Sequence, residues 1–76
     1  MVVEVRSQSE TVNTVLLKAV EYLNAGVRVV LILDPETEVA CVANREVLPC
    51  RLAGEDELTL PDILPGFAVR VREFFS

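Results

Sequence analysis

The sequence predicts a small α/β (α+β) fold: a βαβ crossover with one long amphipathic helix packed on a small mixed sheet, followed by a hairpin. Three observations lead there. A β-branched run opens the chain, a stretch with helical apolar spacing follows and stops at a glycine, and a short continuous apolar run then ends at Asp34-Pro35. Strand, helix and strand in that order close as a right-handed crossover with the two strands parallel.

Met1 to Arg6 is rich in β-branched residues and reads as the first strand. Glu4 is its oddity, a carboxylate among Val2, Val3 and Val5 almost at the start of the chain. In "SQSE", Ser7 and Glu10 have the spacing of a capping box, so a helix is expected to begin there. From Thr11 to Ala25, the residues Val12, Val15, Leu16, Ala19, Val20 and Leu23 recur on one helical face, with Asn13, Thr14, Glu21 and Asn24 away from it. Gly26 supplies a left-handed stop.

The second strand is expected over Val27 to Leu33. Its apolar residues Val29 to Leu33 are too few for a helix and suit a strand covered on both faces. "EVACVANREVLPC" reads as a hairpin turning near Asn44 and Arg45, with Pro49 placing the second arm at a sheet edge and the two cysteines on one side of neighbouring strands. Leu58 to Leu60 is a short extended piece, and Pro65 with Gly66 marks a sharp reversal. Val69 to Phe75 is open to a strand or a short helix, because Val69, Val71 and Phe74 fit neither period cleanly.

Composition narrows the function. Of the 76 residues 51% are hydrophobic and 25% charged, too apolar for a disordered segment and consistent with one domain over residues 1–76. A chain of this size has a thin stability margin, so help from a partner is expected. No apolar run reaches bilayer length and no signal-peptide pattern opens the chain, which points to the cytoplasm and away from membranes. Cys41 and Cys50 lack the spacing of a metal or redox pair and read as half-buried thiols. With no histidine, Ser-His-Asp and Cys-His nucleophiles, His-ligated zinc and His acid-base chemistry are all excluded, leaving carboxylates, Lys and Arg. A net charge of −5 argues against broad attraction to nucleic acid, unless Arg6, Lys18 and Arg28 converge in a local patch.

A series of short blocks adds a resemblance. "VVEV-x-S-x-S" leading into a helix with a central lysine, then "EYL-x-AGVR", a hydrophobic strand ending in "DPET", "DILPGF" and a "VREFF" end together resemble the bacterial Uma family of restriction-endonuclease-like proteins, of the PD-(D/E)-x-K nuclease fold. The resemblance runs from Val2 to Phe75 but corresponds to the later part of that family's domain, so it implies a truncated restriction-endonuclease-like fold. It assigns Glu4 as the metal-binding (D/E) residue and Lys18 as the catalytic lysine, moved onto the helix. Gln8, Glu10 and Leu31 depart from the pattern, where proline, aspartate and an aromatic residue are usual. The family's first metal-binding aspartate, on a strand before "VVEV", has no counterpart here, and Mg²⁺ is implied only if the site is completed.

Each candidate also has a plainer explanation. Glu4 is either a metal ligand or a carboxylate pairing with Arg6, Arg28 or Lys18, and Lys18 is either functional or a solvated lysine. Ser7 and Ser9 are either helix-start residues or phosphate-binding ones, since a helix N-terminus suits both. Asp34 is a turn-forming Asp-Pro or a replacement for the absent aspartate. The resulting expectation is a shortened nuclease-like domain, ancestrally hydrolysing DNA with Mg²⁺ but inactive or weak alone. The alternative is a non-catalytic module that binds itself or another protein. An uncovered first strand further predicts a two-fold homodimer, formed through this edge or through the uncovered sheet face, with DNA a weaker partner.

Overall fold

In the computed structural model, which describes residues 1–45, 50–61 and 63–75, β1 (Val2–Val5) and β2 (Val29–Asp34) pair in parallel across α1 (Val12–Asn24). β3 (Val39–Asn44) returns antiparallel to β2, and β4 (Cys50–Ala53) antiparallel to β3, so the mixed sheet has the order β1-β2-β3-β4. β5 (Glu57–Leu60) and β6 (Leu64–Arg70) form a separate hairpin that runs on into a 3₁₀ helix, Val71–Phe74. The ambiguous tail is thus strand first and helix after. No described helix is long and apolar enough to cross a membrane.

β2 explains why its sequence is apolar without interruption. Alternate side chains of a strand point to opposite faces, and here both faces are covered. Val30 and Ile32 pack with Val15 and Ala19 of α1, whereas Leu31 packs with Ala40, Leu58, Leu60 and Val71 beneath the hairpin.

α1 begins later than the capping-box spacing predicts. Its N-cap is Thr11, whose hydroxyl accepts the Thr14 amide at 3.1 Å. Ser7 and Glu10 instead close a separate turn, with the Glu10 amide donated to the Ser7 carbonyl at 3.1 Å. At the other end Gly26, at φ 103°, makes the left-handed exit: its amide bonds Leu23 and that of Val27 bonds Tyr22, the paired pattern of a Schellman stop. Val12 and Val20, expected against the core, are 53% and 51% exposed, because α1 covers β2 without reaching across β3.

Two further expectations are corrected. The reversal lies before Pro65 and Gly66, which are part of β6, since Leu60 pairs with Leu64 and the Ile63 amide bonds the Leu60 carbonyl. Pro65 is tolerated because a two-stranded hairpin leaves every strand an edge where an amide need not be donated. The β3-β4 register sets Cys41 opposite Arg51 and Val42 opposite Cys50, so the cysteines fall out of step on the ladder. β4 is an edge of the sheet, as expected for that arm, but Pro49 itself lies outside the described residues.

Candidate functional site

β1 presents its two faces differently. Val2, Glu4 and Arg6 are half-buried on the α1 side, while Val3 and Val5 are exposed on the other. Glu4 stands opposite Ile32 in the parallel ladder, which puts it beneath the flank of α1 that carries Lys18. The two meet: Lys18 Nζ lies 3.6 Å from Glu4 Oε1. It also donates to Glu10 Oε2 at 2.6 Å. Glu10 is gripped from behind, because Ser7 gives its Oε1 both the backbone amide, at 3.2 Å, and the hydroxyl, at 3.0 Å. Ser9 Oγ lies 3.2 Å from Ser7 Oγ.

The electrostatics follow from these contacts. The Lys18 hydrogen bond, helped by the two from Ser7, lowers the Glu10 carboxyl to about 2. The same bond to Glu10 raises the Lys18 ammonium, with Glu4 adding a smaller pull. Lys18 is therefore a fixed cation at neutral pH, suited to neutralising negative charge and unsuited to taking up a proton.

A second charged cluster lies where β2 ends. Arg6 Nη1 is 2.8 Å from Glu36 Oε2 and 3.4 Å from Asp34 Oδ1. Asp34 Oδ1 also accepts the Glu36 amide at 3.1 Å, so this carboxylate serves Arg6 and the Asp-Pro turn. The hydrogen bond to Glu36 raises the Arg6 pKa. Arg6 Nε is buried and has no acceptor. Arg6 and Lys18 each sit among two carboxylates, which offset their positive charge locally.

Beside this cluster a cleft of about 330 Å³ opens between α1 and the sheet, walled by Val12, Leu16, Ile32, Val39 and Cys41, with Arg6 and Arg51 in its lining. The cleft accounts for the exposure of Val12.

No group of three or more potential metal ligands occurs among the described residues. The donors present are nonetheless of the right kind for Mg²⁺, which uses hard oxygens and is commonly held by one or two carboxylates, with water and substrate phosphate filling the remaining positions. Glu4 fits such a substrate-completed site, whereas Glu10 has both oxygens held by Ser7 and Lys18, so the two do not make an all-protein cage.

Of the residues singled out from sequence, Glu4, Lys18, Ser7 and Ser9 belong to one cluster, and Asp34 is committed elsewhere. Sequence reasoning missed Glu10 as the main partner of Lys18. The available signal was a carboxylate eight residues before the lysine, just ahead of the helix that carries it.

Among solved structures, the chain is similar to the crystal structure of a "putative nuclease belonging to DUF820" from Anabaena variabilis ATCC 29413, with a TM-score of 0.84 at 14% identity. The match covers 96% of this chain and 41% of the other, so the chain spans less than half the length of that relative. At that identity the likeness shows the fold. A comparison with curated proteins gives no significant match. A family model, Uma2, described as "putative restriction endonuclease", matches residues 1–72. With that match over almost the whole length, and a fold of the nuclease-like kind on the page, the chain belongs to the Uma2 family.

Proposed function

We propose that the Glu4–Lys18 cluster is the remnant of a DNA phosphodiester-hydrolysing centre, and that this chain cleaves DNA only slowly on its own. One observation carries the reading: a carboxylate on an edge strand and a lysine on the following helix converge to 3.6 Å, inside a fold shared with a nuclease relative. Glu4 holds the metal, Glu10 keeps Lys18 charged and in place, and Lys18 offsets the negative charge that develops on the phosphate. Ser9 offers its hydroxyl to the neighbouring phosphate, while the Ser7 hydroxyl holds Glu10 and would reach the phosphate only by releasing it. Mg²⁺, when bound, supplies the charge that polarises the scissile group. With one carboxylate from β1 and a second already occupied by Lys18, affinity is low and turnover slow.

The test is Mn²⁺ titration together with nicking of supercoiled plasmid. Expected are metal binding and slow metal-dependent nicking in the wild type, both lost in Glu4→Ala, and nicking alone strongly reduced in Lys18→Ala. Metal binding unchanged by Glu4→Ala, or no binding at millimolar Mn²⁺ by a folded protein, would overturn it. In that event a non-catalytic association module is the better description, favoured by the uncovered β1 edge.

A further inference from the structure

β1 is an edge of the sheet, and no described strand lies on its free side. The Arg6 amide bonds the Leu33 carbonyl at 2.9 Å, which continues the ladder pairing Val2 with Val30 and Glu4 with Ile32. Backbone groups alternate in direction along a strand, so those of Val3 and Val5 point away from β2. The side chains of Met1, Val3 and Val5 are 48%, 47% and 57% exposed. Unpaired donors and acceptors beside exposed valines form the kind of edge that recruits another strand unless proline, a bulge or an unpaired charge guards it. Met1 to Val5 contains no proline, and its one charge, Glu4, is met by Lys18 of the same chain.

We propose that β1 pairs antiparallel with β1 of a second copy, about a two-fold axis at Glu4, joining two four-stranded sheets into one of eight strands. The segment is symmetric about that residue: Val3 falls opposite Val5 of the second copy and Val5 opposite its Val3, so every outward backbone group of the two valines is used. Glu4 then faces its own copy, and each carboxylate brings a Lys18 to offset the repulsion. A register centred on Val5 would set Glu4 against Arg6 of the second copy. It fails on two counts, because the Ser7 amide it needs is already given to Glu10 and the Arg6 guanidinium is bonded to Glu36 and Asp34. With so few residues on each side, the dimer is a weak and reversible one. The proposal is independent of the nuclease reading and stands if no cleavage is found.

Sedimentation velocity on the full chain, from roughly 10 µM to 1 mM, tests it. A concentration-dependent monomer–dimer equilibrium is expected. Val5→Pro removes only an outward donor and should give a monomer with unchanged far-UV circular dichroism. If that variant fails to fold, the pair Val3→Lys and Val5→Lys tests the same edge. Glu4→Gln should tighten the dimer by about 2–5-fold and Lys18→Met should loosen it by a similar factor, as expected for relieving or unmasking like charges across strands. A monomer at the highest concentration overturns the proposal and leaves the edge to a strand of a different chain. A dimer indifferent to both edge variants, or one loosened by Glu4→Gln, also overturns it.

Discussion

The two layers that cover β2 are built differently. On the hairpin side Leu31, Ala40, Leu58, Leu60 and Val71 form a closed cluster, with Phe67, Phe74 and Phe75 packed against it. On the helix side the buried set is smaller, Val15, Ala19, Val30 and Ile32, and its margins carry Glu4, Lys18, Arg6, Asp34 and an open cleft. One face supplies cohesion and the other carries the half-buried charges. The contrast shows how a chain this small tolerates half-buried charges: it confines them to the periphery of one layer and keeps the charges of the other, Glu55 with Arg70 and Arg72, exposed. Leu58→Ala should therefore be the most damaging change, costing about 2–5 kcal/mol because a fully buried side chain leaves a cavity under the hairpin. Val15→Ala, equally buried but smaller and beside an open cleft, should cost roughly 1–3 kcal/mol. Urea titration of both variants checks the order, and a larger loss at Val15 would reverse the assignment of cohesion to the hairpin side.

A smaller effect sharpens where the helix layer begins. Thr11→Ala should cost about 1 kcal/mol, since the Thr11 hydroxyl satisfies the Thr14 amide, while Ser7→Ala should leave helix stability nearly unchanged. Equal losses in thermal unfolding would mean that Ser7 caps the helix after all.

Ser7 also shows why some features were readable in the sequence and others were not. The apolar run of β2, the spacing of Val15 and Ala19 and the Gly26 stop are local signals whose tertiary surroundings agree with them, and each appears as expected. Ser7 and Thr11 both carry capping chemistry; Glu10 does reach back to the Ser7 amide, but its other oxygen is pulled to Lys18, and the helix itself begins after Thr11. That pull depends on the helix packing across the sheet and is invisible to local spacing. Pro65 and Gly66 mislead for a related reason: they carry turn chemistry, yet an isolated hairpin has no central strand from which they must be excluded. Val12 and Val20 continue the apolar stripe, but one helix is too narrow to cover a four-stranded sheet. For the site, the resemblance named Glu4 and Lys18, and packing brings them together. Asp34 was a reasonable third choice from its place at the end of β2, but Arg6 two positions along from Glu4 holds it instead.

The finest test of the contrast is pH. Glu10 titrates near 2 in the folded protein against an ordinary 4.5, so its contribution to stability is complete above pH 4.5 and is lost as pH falls towards about 2. Lys18 is shifted the other way, so its contribution is complete below its ordinary 10.5 and is lost only at more alkaline pH. Both groups belong to the helix-side margin. Glu10→Gln should consequently flatten the decline in melting temperature between pH 4.5 and 2, whereas Leu58→Ala should lower the whole curve without changing its shape. The Glu10 effect should be small, because Lys18 is 44% exposed and its ion pairs are screened by solvent, and it should shrink further in molar salt. An acid limb of undiminished slope in Glu10→Gln would overturn the assignment of this pH sensitivity to the helix-side margin.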